Sequence, residues 1–143
     1  MSKELSREEA LKKCQLINHP LLHHKITKLR DRKTTSKEFR NLVTEISRLL
    51  AYEATRDLSV GEVKIETPLE ASTGLAVNEE IVVVPILRAG MGMLEGFLEI
   101  LPFAKVGHVG IYRDKIINNT VEYYFRLPGD IEKSPHIKKQ YRH

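Results

Sequence analysis

The stretch that decides the fold of this chain is residues 81–94, which read Ile81-Val82-Val83-Val84-Pro85-Ile86-Leu87-Arg88-Ala89-Gly90-Met91-Gly92-Met93-Leu94. The first seven residues are apolar and mostly β-branched at odd and even positions alike, which is typical of a strand buried on both faces of a parallel sheet. An arginine, two glycines and an apolar segment with helical spacing come next. In open α/β sheets ligands bind beyond the carboxyl ends of strands, where glycines let the backbone approach an anion. The stretch therefore predicts a phosphate-binding strand–loop–helix.

The totals are those of one soluble domain. The 143 residues are 41% hydrophobic and 29% charged, which is ordinary for a globular protein with a real core. The single cysteine, Cys14, excludes an intramolecular disulfide and gives no argument for an oxidising compartment. No apolar run reaches membrane length and no leader-like segment follows the start, so we expect a cytoplasmic protein.

The net charge of +4 comes entirely from the end of the sequence. Residues 133–143 contain four basic residues and no acidic residue, so residues 1–132 balance to zero. A nucleic-acid surface needs clustered positive potential on the folded body. A nucleic-acid binder is therefore a distant alternative.

The N-terminal third predicts helices. Ser6 and Glu9 have the spacing of a capping box, which predicts a short helix at about residues 7–13. A second helix is expected to begin near His19 and Pro20 and to end in the charged stretch that follows Leu29. A second capping box then precedes the clearest helical pattern in the chain, at about residues 36–55, where the apolar residues Phe39, Leu42, Val43, Ile46, Leu49 and Leu50 share one face.

The remaining residues predict strands around the central one. Val63 and Ile65 alternate with charged residues in a half-buried strand that ends at Pro68, and residues 72–80 read as a connection. Residues 106–112 read as a second short buried strand, in which Gly107 and Gly110 leave room for close packing. The turn signal Asn118-Asn119 predicts a hairpin between residues 116–117 and 121–125.

Several segments carry a more specific signal, and they occur in a fixed order: His19-Pro20-Leu21, Thr27-Lys28-Leu29-Arg30-Asp31, Lys37-Glu38-Phe39-Arg40, Leu50-Ala51-Tyr52-Glu53-Ala54-Thr55-Arg56-Asp57, Val84-Pro85-Ile86-Leu87-Arg88-Ala89-Gly90, Lys105-Val106-Gly107-His108-Val109-Gly110-Ile111-Tyr112-Arg113-Asp114, and Tyr123-Tyr124 followed by Leu127-Pro128. Together they resemble successive blocks of the uracil phosphoribosyltransferase family. The likeness runs from about residue 19 to residue 131.

This resemblance implies an α/β type I phosphoribosyltransferase fold, with N-terminal helices, a mainly parallel sheet and a β-hairpin. It also implies the reaction of uracil with phosphoribosyl diphosphate (PRPP) to give UMP and diphosphate in pyrimidine salvage. By position, Arg88 and Arg113 are expected to bind the diphosphate of PRPP, and a cis peptide bond is expected at Arg88-Ala89. Mg²⁺ on PRPP, GTP as an activator in some relatives, and a homodimer are further expectations from the resemblance.

The resemblance stops at about residue 131. The family continues into an apolar strand, an acidic, Gly/Thr-rich loop around the ribose phosphate and, further on, a segment that recognises uracil. Residues 132–143 instead have no acidic residue after Glu132 and no glycine, so the chain is expected to lack both the ribose-phosphate loop and the uracil pocket. We therefore expect residues 1–131 to form an incomplete phosphoribosyltransferase domain and residues 132–143 to be a disordered basic tail. Such a chain is expected to be inactive alone. An interaction module that pairs with a full-length relative is the alternative.

Two histidines raise the question of a metal site. His19 and His23 lie one helical turn apart, but no third ligand of suitable spacing accompanies them, so the sequence predicts no metal site there.

Overall fold

The computed structural model describes residues 14–114 and 119–129. In these residues the elements follow the order α1 (Pro20–Arg30), α2 (Ser36–Ala54), β1 (Val60–Glu66), β2 (Ala71–Val77), β3 (Val82–Val83), β4 (Ile86–Leu87), α3 (Met91–Ile100), β5 (Lys105–Val106), β6 (His108–Asp114) and β7 (Asn119–Arg126). The α/β class is confirmed. The helix predicted near residues 7–13, the strand at 116–117 and the tail at 132–143 lie outside the described residues.

The two long N-terminal helices begin at capped ends. At α1 the Nδ1 atom of His19 accepts a hydrogen bond from the backbone N–H of Leu21 at 3.1 Å. At α2 the hydroxyl of Thr35 accepts from the N–H of Glu38, whose carboxylate accepts in return from the N–H of Thr35 at 2.8 Å. This reciprocal pair is the capping box that the sequence predicted.

Helix α2 packs closely against α3 through small residues. A Cβ atom at Gly96 would lie 2.4 Å from the carbonyl oxygen of Thr44 and 2.7 Å from the Cβ of Ser47. Ser47 is fully buried, and its hydroxyl donates to the carbonyl of Val43 at 2.7 Å. Beside this contact, Arg48 Nε donates to the carboxylate of Glu99. The contact sets the position of α3, whose first turn follows the Arg88 loop.

The central strand pairs in parallel with the strand that follows α3. Val83 lies opposite Val106 in β3–β5, and Leu87 lies opposite Gly110 in β4–β6. The backbone N–H groups of residues 105, 107 and 109 donate to the carbonyls of residues 81, 83 and 85, so hydrogen bonds link the two segments on both sides of Pro85. The sequence predicted this strand–loop–helix–strand, and it is confirmed.

The central strand is less buried than its sequence suggested. Val82 and Val83 are half-buried, and 53% of Ile86 is exposed. Pro85 interrupts the strand because it has no N–H to donate, so β3 and β4 are two residues each. Burial on both faces was therefore a wrong prediction for the described part of the chain.

The other strands form two antiparallel hairpins. Strand β7 pairs directly with β6, from His108 opposite Arg126 to Asp114 opposite Asn119, so the first strand of this hairpin is β6. Strand β2 pairs with β1 along its whole length, and the two are joined by a turn in which the N–H of Thr67 donates to the carbonyl of Glu70 at 3.0 Å. The prediction of a connection at residues 72–80 was wrong for residues 72–77, because small residues that look like a loop here fill the ladder opposite β1, and it was right for residues 78–80. Parallel and antiparallel pairs thus both occur.

Candidate functional site

Arg88 follows the carboxyl end of β4, where the chain turns sharply into α3. The N–H of Gly90 donates to the carbonyl of Ile86 at 2.8 Å, which folds the loop back over the strand. A Cβ atom at Gly90 would lie 2.6 Å from that carbonyl oxygen and 2.7 Å from the Ile86 nitrogen. Only glycine fits so close an approach. The loop therefore presents an exposed Arg88 at the edge of the sheet.

The first backbone N–H groups of α3 already donate hydrogen bonds within this turn. Backbone N–H groups of residues 91, 92 and 93 donate to the carbonyls of residues 88, 89 and 90, at distances between 3.1 and 3.3 Å. An N–H group that donates to a nearby carbonyl is not available to a phosphate. Positive charge for an anion here comes chiefly from the guanidinium of Arg88. The cis peptide bond of this loop joins Leu87 to Arg88, one residue earlier than the resemblance implied.

Arg88 lines an open pocket of about 640 Å³ together with Leu87, Ile111, Tyr112 and Tyr123. The Tyr112 and Tyr123 rings lie 6.0 Å apart at an interplanar angle of 49°. The walls are thus aromatic and aliphatic, with one cation at the strand exit. Such a pocket suits a ligand that has both an anionic group and a carbon surface.

Tyr123 reaches the pocket because of a β-bulge. Gly110 lies opposite Tyr124 and Ile111 lies opposite Glu122, so Tyr123 is an extra residue in β7. A Cβ atom at Gly110 would lie 2.6 Å from Cζ of the Tyr123 ring, so the ring occupies the space that a side chain would need. Gly110 is also the partner of Leu87, the residue before Arg88. The prediction that Gly110 allows close packing is confirmed.

Arg113 lies on the neighbouring strand at the same end of the sheet. It is the second-to-last residue of β6, opposite Thr120, and its side chain is exposed. It comes two residues after Ile111, about 7 Å further along the strand. The structure thus brings Arg88 together with the tyrosines, and it leaves Arg113 outside the set of residues that line this pocket.

Two other clefts suit a phosphate less well. A cleft of about 490 Å³ between the central strand, the end of α2 and α3 is lined without any charged side chain. A groove of about 580 Å³ between α1 and α2 has three lysines, but Asp31, Glu38 and Glu45 balance them. The Lys25 ammonium hydrogen-bonds to Glu45 there and holds the pKa of that carboxyl below its usual value. None of the described residues that line the Arg88 pocket is acidic.

Neither a metal cluster nor a membrane span is evident in the described residues. Residues 14–114 and 119–129 contain no group of three or more His, Cys, Asp or Glu side chains that could hold a metal ion. No helix within those two ranges is both long and apolar enough to cross a membrane.

The sequence profile described as uracil phosphoribosyltransferase matches residues 16–137. The chain belongs to the uracil phosphoribosyltransferase family. It is 54% identical to the uracil phosphoribosyltransferase of Dictyoglomus turgidum, over 82% of this chain and 58% of that protein. It is 50% identical to the uracil phosphoribosyltransferase of Bacillus licheniformis, over 87% of this chain and 60% of that protein. The chain thus spans about three fifths of the length of these relatives.

The fold agrees with this membership in the uracil phosphoribosyltransferase family. The structure of the AQ2163 protein from Aquifex aeolicus superposes with a TM-score of 0.73 and 40% sequence identity, covering 78% of this chain and 54% of that chain.

Sequence reasoning missed the two tyrosines of the pocket. The block Tyr123-Tyr124 contributed to the resemblance. The alternation of side chains along a strand, however, does not show whether either tyrosine faces a ligand site. A bulge changes which side chain faces the pocket, and a bulge depends on pairing with another strand. The available signal was Gly110, whose missing side chain implied that another group occupies the space.

Proposed function

We propose that this chain binds PRPP, with Arg88 and Arg113 on the diphosphate, as part of uracil phosphoribosyltransferase chemistry in pyrimidine salvage. The observation that carries the proposal is the exposed Arg88, held at the carboxyl end of β4 in a pocket whose described lining residues include no acid. Membership in the family supports the choice of ligand. A cytoplasmic location is part of the same proposal.

The two arginines suit the leaving group of this reaction. Uracil replaces diphosphate on the anomeric carbon of PRPP, so UMP forms and diphosphate leaves with increased negative charge. A guanidinium donates two parallel hydrogen bonds to phosphate oxygens, and such charge-assisted bonds strengthen as that negative charge develops. In this proposal Arg88 holds one end of the diphosphate, and Arg113, on the neighbouring strand, holds the other.

The family resemblance implies Mg²⁺ as a companion of PRPP. We propose that it comes to this site on PRPP, whose phosphate oxygens would supply most of its ligands. When bound, Mg²⁺ neutralises charge on the diphosphate. Activation by GTP stays a prediction from the family resemblance.

Titration calorimetry with PRPP and Mg²⁺ tests this proposal on the full 143-residue chain. Replacing Arg88→Ala is expected to weaken PRPP binding roughly ten- to a hundredfold, because a hydrogen bond to a charged group contributes about 1.5–3 kcal/mol. Arg32→Ala, at an exposed position after α1, is the matched control and should leave the affinity unchanged. Equal affinities of the wild-type chain and Arg88→Ala would reject the proposal.

Catalytic turnover needs a test of its own, separate from the binding of PRPP. We expect this chain alone to form no detectable UMP from uracil and PRPP, because residues 133–143 contain neither the acidic residues nor the glycines that the family uses around the ribose phosphate. A radiolabelled-uracil assay of the purified chain measures this directly. UMP formation clearly above that of the Arg88→Ala variant would contradict the expectation.

A second candidate function is association through the β1–β2 hairpin. Val60, Leu75 and Val77 on one face and Val63 and Ile65 on the other are each at least 39% exposed. A two-stranded hairpin is marginally stable alone, and its outer edges can pair with another strand. We propose a second copy of this chain as the occupant, because a two-fold axis pairs one antiparallel edge with itself.

Light scattering after size-exclusion chromatography tests this association. The wild-type chain should elute as a dimer, and Leu75→Lys should elute as a monomer because it places a charge among the apolar side chains. Leu16→Lys changes a leucine outside the hairpin that is even more exposed than Leu75, and this variant should remain dimeric. A monomeric wild-type chain would reject the pairing of two copies. Pairing with a full-length relative would then be the remaining form of association, which a tagged pull-down would detect.

A further inference from the structure

The β-bulge in β7 gives Tyr123 a position that regular pairing would not. In a regular ladder each residue of β7 has one partner on β6, but Tyr123 falls between the partners of Gly110 and Ile111. Bulges redirect a side chain, and they are frequent next to active sites. Here the extra residue directs its ring over Gly110 and into the pocket of Arg88. Tyr123 stays 53% exposed, so it is accessible to a ligand.

The remaining walls of the pocket agree with a ligand that has carbon as well as charge. Tyr112 is 48% exposed and lies beside Tyr123, while Leu87 and Ile111 form the aliphatic part of the lining. Aromatic faces attract C–H groups and flat rings, whereas a bare phosphate would gain little from them. A ligand with a phosphate at Arg88 and a sugar ring against the tyrosines would contact both the charged and the apolar parts of the pocket.

We propose that Tyr123 is a ligand-contacting residue of this site, which packs its ring against the ribose of a phosphoribosyl ligand whose diphosphate is held by Arg88. Tyr112 forms the second aromatic wall. The inference rests on the proposed binding of PRPP and adds the groups that distinguish a ribosyl diphosphate from diphosphate alone. Arg88 contributes to the binding of both PRPP and diphosphate, whereas Tyr123 contributes only to the binding of PRPP, which has the sugar.

The test compares two ligands, Mg²⁺–PRPP and Mg²⁺–diphosphate, by calorimetry on the full chain. Tyr123→Ala should weaken PRPP binding roughly five- to tenfold, the size expected for loss of one aromatic contact, and should change diphosphate binding less than twofold. Tyr123→Phe keeps the ring and should bind PRPP within twofold of the wild-type chain. Tyr52→Ala, which removes a 68% exposed tyrosine on α2, is the matched control and should change neither affinity.

The outcomes separate this inference from the proposed function. Unchanged PRPP affinity in Tyr123→Ala, with both ligands lost in Arg88→Ala, would overturn the role of Tyr123 and leave the proposed function standing. Equal weakening of both ligands in Tyr123→Ala would also overturn it, because a contact with ribose cannot affect diphosphate. A wild-type chain that binds neither ligand would reject the proposed function and this inference together.

A measurement on the unaltered chain covers the case in which Tyr123→Ala does not fold. The sequence has five tyrosines, so the ring signals of selectively labelled tyrosine are few enough to assign with single Tyr→Phe variants. PRPP should shift the Tyr112 and Tyr123 signals more than diphosphate does, and Tyr52 should not move. Equal shifts with the two ligands would overturn the contact with ribose.

Discussion

Gly96→Ala is expected to destabilise the chain through the contact between α2 and α3. The new Cβ atom would lie 2.4 Å from the carbonyl oxygen of Thr44 and 2.7 Å from the Cβ of Ser47. Both obstacles belong to α2, and the nearer one is backbone, so neither can rotate away. The two helices therefore have to separate, and α3 has to move away from the residues of α2 that contact it.

The size of the effect follows from two opposing contributions. Overpacking a close contact costs about 1–3 kcal/mol, and an obstruction by backbone places Gly96→Ala near the upper end. Alanine is the better helix former, which returns about 1 kcal/mol. The net loss in the free energy of unfolding is about 2 kcal/mol, which corresponds to a fall in Tm of roughly 7 °C for a chain of this size.

Gly92→Ala is the matched control, because it makes the same substitution in the same helix. A Cβ atom at Gly92 would meet only the Cγ1 of Val43, at an ordinary contact distance of 3.6 Å. Its Tm should therefore equal or slightly exceed that of the wild-type chain. Thermal melting followed by far-UV circular dichroism measures both variants. Equal Tm values for Gly96→Ala and Gly92→Ala would refute the close approach of α2 and α3.

Three further outcomes are expected. Gly90→Ala should weaken diphosphate binding at least tenfold in calorimetry, because its Cβ would lie 2.6 Å from the Ile86 carbonyl oxygen and force the loop open; unchanged binding would contradict the loop geometry. Thr35→Ala should cost about 1 kcal/mol in urea unfolding at neutral pH, and Thr35→Ser should restore most of it; equal losses would contradict the cap. Hydrogen bonds from Thr35 lower the pKa of Glu38 below its ordinary value of 4.5, so the contribution of the cap is present above that value and declines as the pH falls through the lower folded-state pKa. The stability difference between wild type and Thr35→Ala should shrink in acid, and a constant difference down to pH 2 would contradict this.

The helices were predictable because their signals are local. The capping pair Thr35 and Glu38 and the apolar stripe that begins at Phe39 lie within one segment, so the predicted range of 36–55 differs from the observed Ser36–Ala54 by one residue. Hydrogen bonds within a helix connect residues four apart, and no distant partner is needed to define them. The same holds for the start of α1 at Pro20.

The strands were predicted less well, because a strand is defined by its partner. Residues 71–77 contain Ser72, Thr73 and Gly74, which favour loops when they are considered alone. Their pairing with β1 nevertheless makes them a strand, in which Gly74 lies opposite Val63. Similarly, the turn signal Asn118-Asn119 predicted a hairpin with residues 116–117 as its first strand, and those two residues lie outside the described ranges. The observed partner is β6.

The candidate site depends both on local sequence signals and on pairing between distant strands, and its two glycines illustrate the difference. Gly90 acts within its own loop, where it lets the chain fold back on Ile86 and present Arg88, and a sequence motif can reveal that role. Gly110 acts between strands: it lies opposite Leu87 on one side, and it leaves space for the Tyr123 ring on the other. A sequence marks Gly110 as a place of close approach without naming the group that approaches. The arginine of this site could therefore be read from one stretch of residues, whereas the aromatic wall required the register of three strands. If Tyr123 contacts ribose as we propose, the residues that distinguish PRPP from diphosphate are the ones that only the folded sheet brings together.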